Sequence, residues 1–299
     1  MQNITERASD KQFLQAIVEN DNHTPDDIDY FLFLKALLRN FASTDAQLRD
    51  ELTYGILAHA IIDQDSQQKL TTSQVEDVLL ICIDQEHLFY RAGEAGTDSV
   101  FMRSFSLLII AVILFADAKT PRLSEQATRQ AQTALLDYAK EEKDWRGYIK
   151  DKGWAHAAAH LADALDECAQ NRYMVTDDRE AVMRTIRELA GLPEPLCFEE
   201  DDRLAFAAYR VIANQLVEEA FLEEWIELFF VQREQDVVAN EKNLISWVRA
   251  SNAENILRSL YFRLLWGKKA THLLEPISTV LRRLDSIPAE WFEGDGGRP

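Results

Sequence analysis

Glycine and proline are scarce in this chain, 10 and 7 of 299 residues, and no proline falls between Pro25 and Pro121. A sheet protein needs frequent tight turns and builds them from these two residues, so the shortage argues against an all-β design and favours long helices. Cysteine is scarcer still. Cys82, Cys168 and Cys197 lie far apart and form no CxxC pair, a pattern that excludes a disulfide framework and points to a reducing compartment. Cys82 sits in the apolar run from Val78 to Ile83 and reads as a small core residue. Basic residues are outnumbered, 32 against 51, for a formal net charge of −19. No basic run exceeds the pairs Lys268-Lys269 and Arg282-Arg283. Such a field repels phosphate backbones and anionic lipid, so neither nucleic acid nor a membrane is expected as a partner, while a basic partner would be attracted. The most hydrophobic stretch, Phe105 to Ala116, falls short of the roughly 20 residues that a membrane-spanning helix needs and reads as a buried helix. Residues Met1 to Glu6 show no basic region leading into an apolar run, so no secretion signal is read there and a cytoplasmic location is expected.

What the chain has in quantity is apolar residues at helical spacing. Hydrophobic side chains make up 47% of it, enough to build a sizeable core and to argue against disorder. Over 26–41, Ile28, Phe31, Leu32, Leu34, Leu37 and Leu38 form one stripe, the spacing of a helix that buries one face. A second helix over about 45–63 follows Ser43, Thr44 and Asp45, which are good capping residues. Further helices are expected near 71–87, 98–117, 122–142, 152–171, 177–190, 200–219, 222–236, 240–266 and 273–285. The triplets Leu48-Arg49-Asp50, Met102-Arg103-Ser104, Ala155-His156-Ala157, Asp202-Arg203-Leu204 and Leu257-Arg258-Ser259 recur at intervals of roughly 50 residues, the length of a helix pair with its turns. The expected fold is therefore all-α, a HEAT- or armadillo-like α-α superhelix of about five helix pairs. It would form one domain over residues 1–290, with a flexible tail at 291–299 and an inter-repeat loop at Gly191-Leu192-Pro193-Glu194-Pro195. A compact irregular helical bundle would produce the same periodicity.

Two segments differ from repeat filler. The first, Gly93 to Phe105, opens with a two-glycine loop in which Thr97 or Asp98 can cap the next helix. The Asp98 carboxylate would then lie within a turn or so of Arg103. The second runs from Glu142 to Asp163 and holds Asp144, Arg146, Tyr148, Lys152, Trp154, His156, His160 and Asp163. On a helix, His156, His160 and Asp163 share one face, where two imidazoles and a carboxylate could meet one cation or the carboxylate could orient a histidine. The alanines at 157–159 keep that face open to a ligand or a neighbouring helix. Ala157 stands where an HExxH zinc motif needs glutamate, so the pair His156/His160 is a candidate for a divalent metal by spacing alone. The same residues could equally be buried histidines satisfied by hydrogen bonds between helices. No glycine-rich phosphate loop and no GxSxG nucleophile elbow occurs. The run Glu199-Glu200-Asp201-Asp202 reads as a solvated helix start.

The blocks GTDSVFMRSFS at 96–106, EEKDWRGYIKDKGWAHAAAHLADAL at 141–165 and EEDDRLAFAA at 199–208 resemble a bacterial family catalogued as domain of unknown function 2785. The resemblance spans about residues 30–270 and implies a helical, HEAT-like fold in a bacterial cytoplasmic protein. It implies no activity, substrate or cofactor. If the shared blocks mark a site, the matching positions are Asp98, Arg103, Asp144, Arg146, Tyr148, Lys152, Trp154, His156, His160 and Asp163.

Two functions are open at this point. The first is a non-enzymatic binding or scaffold protein that holds a peptide, a protein segment or a small ligand on a concave polar face, with no cofactor. The second is an enzyme such as a metal-assisted hydrolase. There His156 and His160 would be ligands or a general base, Asp98 or Asp163 would orient them, and Arg103 would stabilise developing negative charge. The enzyme needs these groups to converge on an open cavity.

Overall fold

Several helices in the first half of this chain begin on short polar side chains that accept the otherwise unpaired N–H groups of the first turn. Asn3 and Thr71 each form a capping box, with Glu6 and Gln74 reaching back. Asp10, Asp29 and Ser124 cap further helices. The computed structural model describes residues 3–63, 68–238 and 244–285, and among them the regular elements are helices and one two-stranded hairpin. It divides into two compact units, Met1–Val175 and Thr176–Pro299. The expected tail at 291–299 lies outside the described residues.

The first unit holds α1 (Ile4–Ser9), α2 (Lys11–Glu19), α3 (Tyr30–Leu37), α4 (Gly55–Ile62), α5 (Thr72–Cys82), α6 (Ser99–Lys119), α7 (Glu125–Glu141) and α8 (Ala157–Ala169). A 3-10 turn, Leu38–Ala42, extends α3, and a π-helical stretch, Gln47–Tyr54, leads into α4. Strands β1 (Tyr148–Ile149) and β2 (Gly153–Trp154) pair antiparallel, with Tyr148 opposite Trp154. The second unit holds α9 (Thr176–Ala190), α10 (Glu200–Ala213), α11 (Glu219–Val238), α12 (Leu244–Gly267) and α13 (Leu274–Leu284).

Packing follows a regular rule within each unit. From α4 onward a helix lies against the one two places on: α4, α6 and α8 form one layer and α5 and α7 a second, while α10 packs on α12 and α9 and α13 flank α11. Polar links repeat the same interval. Lys152 to Asp98 and Asn171 to Asp117 each span 54 residues, and His160 to Ser104, Asn252 to Leu196 and Arg283 to Glu227 each span 56. The core of the first unit is the α6–α8 contact. Leu107, Ile109, Ile110, Ile113 and Leu114 of α6 are fully buried, and each such side chain contributes about 2 kcal/mol through burial. Opposite them, Ala157, Ala158, Ala159, Ala162 and Ala164 are also fully buried. The alanines admit a neighbouring helix, one of the two outcomes their small size allowed.

Several expectations change. The stripe over 26–41 shortens to α3, where Leu32 is 47% exposed and Phe33 takes the buried place. Asp45 does accept the Leu48 N–H, but the turn it opens is π-helical. Helices α1 and α2 were not expected. The helix expected over 98–117 is α6, of 21 residues; it is long and apolar enough to cross a membrane, yet 89% of its apolar window is buried inside the protein. The largest change is at 152–156, where a helix was expected and β2 with its turn is found. Asp151 and Gly153 adopt φ of 63° and 84°, and a right-handed helix cannot continue through such residues.

Candidate functional site

Arg103 is fully buried on α6, and every N–H of its guanidinium is used. Nε donates to Glu142 Oε2 at 2.6 Å and Nη2 to Glu142 Oε1 at 2.8 Å, a bidentate pair. Nη1 donates to the carbonyl of Tyr90 and to Ser99 Oγ, and Nη2 also to the carbonyl of Glu94. A guanidinium has five donors, so none remains for a ligand. Tyr138 Oη donates to Glu142 Oε2 at 2.6 Å, and the backbone N–H groups of Lys143 and Asp144 donate to Oε1. Burial, then the charge of Glu142, push the Tyr138 hydroxyl well above its ordinary range. Burial pulls on Arg103 in the opposite direction to Glu142, whose hydrogen bonds and charge prevail and raise its pKa.

The same pattern repeats one loop away. Asp144, buried, accepts from Arg146 Nε at 2.7 Å and Nη2 at 2.6 Å and from the Gly96 N–H at 2.9 Å. Arg146 Nη2 also donates to the carbonyl of Thr97. Asp98 pairs with Lys152, 2.7 and 2.8 Å from Nζ. It does not cap α6 with its side chain, and it is not among the acceptors of Arg103, as the sequence had suggested. These contacts staple the 90–98 loop to the chain around the hairpin.

Beneath the hairpin lies a residue that sequence reasoning passed over. Arg49, on the π-helical stretch, is fully buried with its guanidinium 3.9 Å from the Phe101 ring centre and 4.9 Å from that of Phe105. Nη1 donates to the carbonyl of Ser43 and Nη2 to that of Lys152, both at 2.8 Å. Nε lies 2.8 Å from Asp50 Oδ1 without hydrogen-bond alignment, so that contact is ionic. Burial lowers the Arg49 pKa and Asp50 opposes it. The close approach explains Gly153: a Cβ there would stand 2.9 Å from Ala46 Cβ and 3.1 Å from Arg49 Nη2.

From this base a series of rings runs from solvent into the core. Tyr148 and Trp154 are 51% and 39% exposed, with ring centres 5.0 Å apart. Trp154 stacks on His156 at 4.4 Å and 23°, His156 meets His160 edge-on at 5.8 Å, and His160 meets Phe105 edge-on at 5.3 Å. His160 Nδ1 lies 3.0 Å from the carbonyl of Ser104. Only an N–H can donate to a carbonyl, so Nδ1 carries the proton. His156 is left-handed, with φ of 52°, and precedes α8 instead of standing on it. The face of His156, His160 and Asp163 is thus only partly helical, with half-buried Asp163 one turn beyond His160. Among the described residues, no group of three or more His, Cys, Asp or Glu is placed to hold a metal ion.

All ten candidate positions lie in the first unit, between Asp98 and Asp163. The structure joins them in two kinds of arrangement. Arg103, Asp144, Arg146 and the Lys152–Asp98 pair make internal staples, while Tyr148 and Trp154 are presented to solvent by the hairpin. Arg49, Glu142 and Tyr138 were missed. Arg49 had a signal, because its triplet recurs in the same periodic position as that of Arg103. Glu142 opened the second segment but gave no sign of its partner.

A family model described as protein of unknown function (DUF2785) matches residues 88–262. That is more than half of the chain, so the chain belongs to this family, although the match is narrower than the 30–270 span its blocks suggested. No curated protein and no solved structure matches it.

Proposed function

We propose that this DUF2785 member is a non-enzymatic binding protein whose docking face is the aromatic hairpin of its first unit, where Tyr148 and Trp154 meet a segment of a partner protein. One observation carries the reading: Arg103, Asp144, Arg146 and Lys152 are paired within the protein, whereas Tyr148 and Trp154, the two aromatics of the hairpin, are exposed. Tyr and Trp on a rigid support are the residues that dominate protein interfaces, since they bring large contact area with little flexibility to lose. The hairpin is rigid because Arg49 holds its turn from below and Lys152 ties it to Asp98. A partner segment with basic character suits the net charge of −19, through faster and better-oriented encounter. A Lys or Arg of that segment could also lie on an exposed ring.

The two-layer packing and the 54- to 56-residue links support a HEAT-like repeat architecture within each unit. Three free cysteines support a cytoplasmic setting. The hydrolase alternative asks Arg103 to meet developing negative charge, and its five donors already have acceptors.

Native mass spectrometry on protein purified gently from its host tests the reading. The expected result is a second polypeptide on the wild type that is lost from Tyr148→Ala/Trp154→Ala at unchanged circular dichroism. A metal-ion or metabolite mass that instead vanishes from His156→Ala/His160→Ala would overturn it in favour of chemistry at the histidines.

A further inference from the structure

A second candidate site lies in the other unit, away from the motif block. A cavity of about 170 Å³ opens where the end of α9 meets α11, α12 and α13, with Arg187 and Arg249 among its lining residues and walls that include Leu228, Phe229, Ala253 and Leu284. Arg187 has no hydrogen-bond or ion-pair partner among the described residues, and its Nε is wholly shielded from solvent. A buried unpaired donor is costly, and in native proteins such a group calls for a reason, a bound ligand being one. Glu188 also lines the cavity but makes no ion pair with Arg187, and in a chain with 51 acidic residues against 32 basic a guanidinium without a carboxylate partner among the described residues is the more unusual.

The walls of the cavity are braced in advance. Arg249 Nε donates to the carbonyl of Gly191 at 2.9 Å. Asn252, buried on the same helix, accepts from the Leu196 N–H and donates to the carbonyls of Leu192 and Glu194. These bonds fix the Gly191–Leu196 loop against α12. On the opposite side Trp225 meets Phe229 edge-on at 4.8 Å and donates its indole N–H to the carbonyl of Met183, which sets the angle of the Phe229 ring. A site whose walls are already ordered loses little entropy on binding.

We infer that this cavity binds a small monocarboxylate with an apolar body, its carboxylate on Arg187 and Arg249 and its hydrocarbon against Phe229, Ala253 and Leu284. Planar guanidinium groups match a carboxylate in geometry as well as charge. Size sets the apolar part, because an interior cavity of about 150 Å³ is known to accommodate a benzene ring. The inference stands apart from the hairpin reading and would survive its failure.

The test uses sodium benzoate and its neutral counterpart benzamide, titrated into the full-length protein at low salt and followed by calorimetry. Saturable benzoate binding is expected at up to millimolar concentration, with benzamide binding at least about tenfold more weakly, as the loss of hydrogen bonds to a charged group predicts. Arg187→Gln should weaken benzoate by about tenfold or more and leave benzamide unchanged. If that variant fails to fold, the wild-type comparison of benzoate with benzamide still decides. No saturable benzoate binding, equal binding of the two probes, or full benzoate affinity in a folded Arg187→Gln protein would overturn the inference.

Discussion

At Arg103, the effect of one missing charge can be stated in advance. Glu142→Gln keeps the shape of its side chain but leaves a fully buried guanidinium without its counter-ion, because Glu142 is its one carboxylate partner among the described residues. Breaking a buried pair from one side costs about 3 kcal/mol or more, whereas replacing both members with apolar residues costs far less. Urea unfolding should therefore show Glu142→Gln less stable by about 3 kcal/mol, and Arg103→Met/Glu142→Leu less stable by clearly less than the two single changes together. Equal and additive losses would contradict the staple described here. Asp117 gives a prediction with pH. Burial alone would raise its pKa, but the N–H groups of Arg122 and Leu123 and the guanidinium of Arg172 outweigh burial and lower it. A carboxyl depressed by folding adds stability that is complete above its unfolded pKa of about 4 and fades as pH falls through the lower folded value. Asp117→Asn should accordingly be less stable at neutral pH and lose less on acidification, in unfolding curves taken from pH 7 downward. These pairings were not legible in the sequence: Arg103 and Glu142 lie 39 residues apart, and nothing local in either stretch fixes the other's position.

Among elements, the hairpin is where reading the sequence and seeing the structure part most clearly. Helices α6, α7, α9 and α10 announce themselves through apolar spacing, and α7 also through its Ser124 cap, because both are local properties of a helix. The 152–156 stretch looks helical by continuity with the alanines that follow it, and it is not, because Asp151, Gly153 and His156 all take positive φ. Gly153 held the clue, but its reason is tertiary, in the approach of Ala46 and Arg49 from about a hundred residues away. Gly153→Ala should cost about 2 kcal/mol through a strained φ and a crowded contact. The near-ultraviolet circular dichroism of the variant should also change, since Trp154 would shift on His156. An unchanged spectrum with wild-type stability would mean that Arg49 does not hold the turn. By contrast, Tyr148→Ala/Trp154→Ala removes half-exposed rings and should cost no more than about 1.5 kcal/mol of edge-on and stacking contact, so lost binding in that variant would not reflect lost folding.

Over the whole molecule, the recurring triplets fall on the π-helical stretch, on α6, at the start of α8, and on α10 and α12. Within each unit the helices that carry them pack together, α6 on α8 and α10 on α12. Function left a fainter mark. The motif block combines residues that build the platform with residues that stand on it, and sequence spacing does not separate the two. Burial and pairing together do: Arg49, Arg103 and Asp144 are buried and Arg146 is paired with Asp144, whereas Tyr148 and Trp154 are exposed. The most direct test of that division is photo-crosslinking in living host cells with benzoylphenylalanine placed at position 148. The account predicts a discrete protein adduct that disappears when Trp154→Ala is added and is absent when the probe stands at exposed Asp26. No adduct at position 148, or the same adducts from both positions, would contradict it.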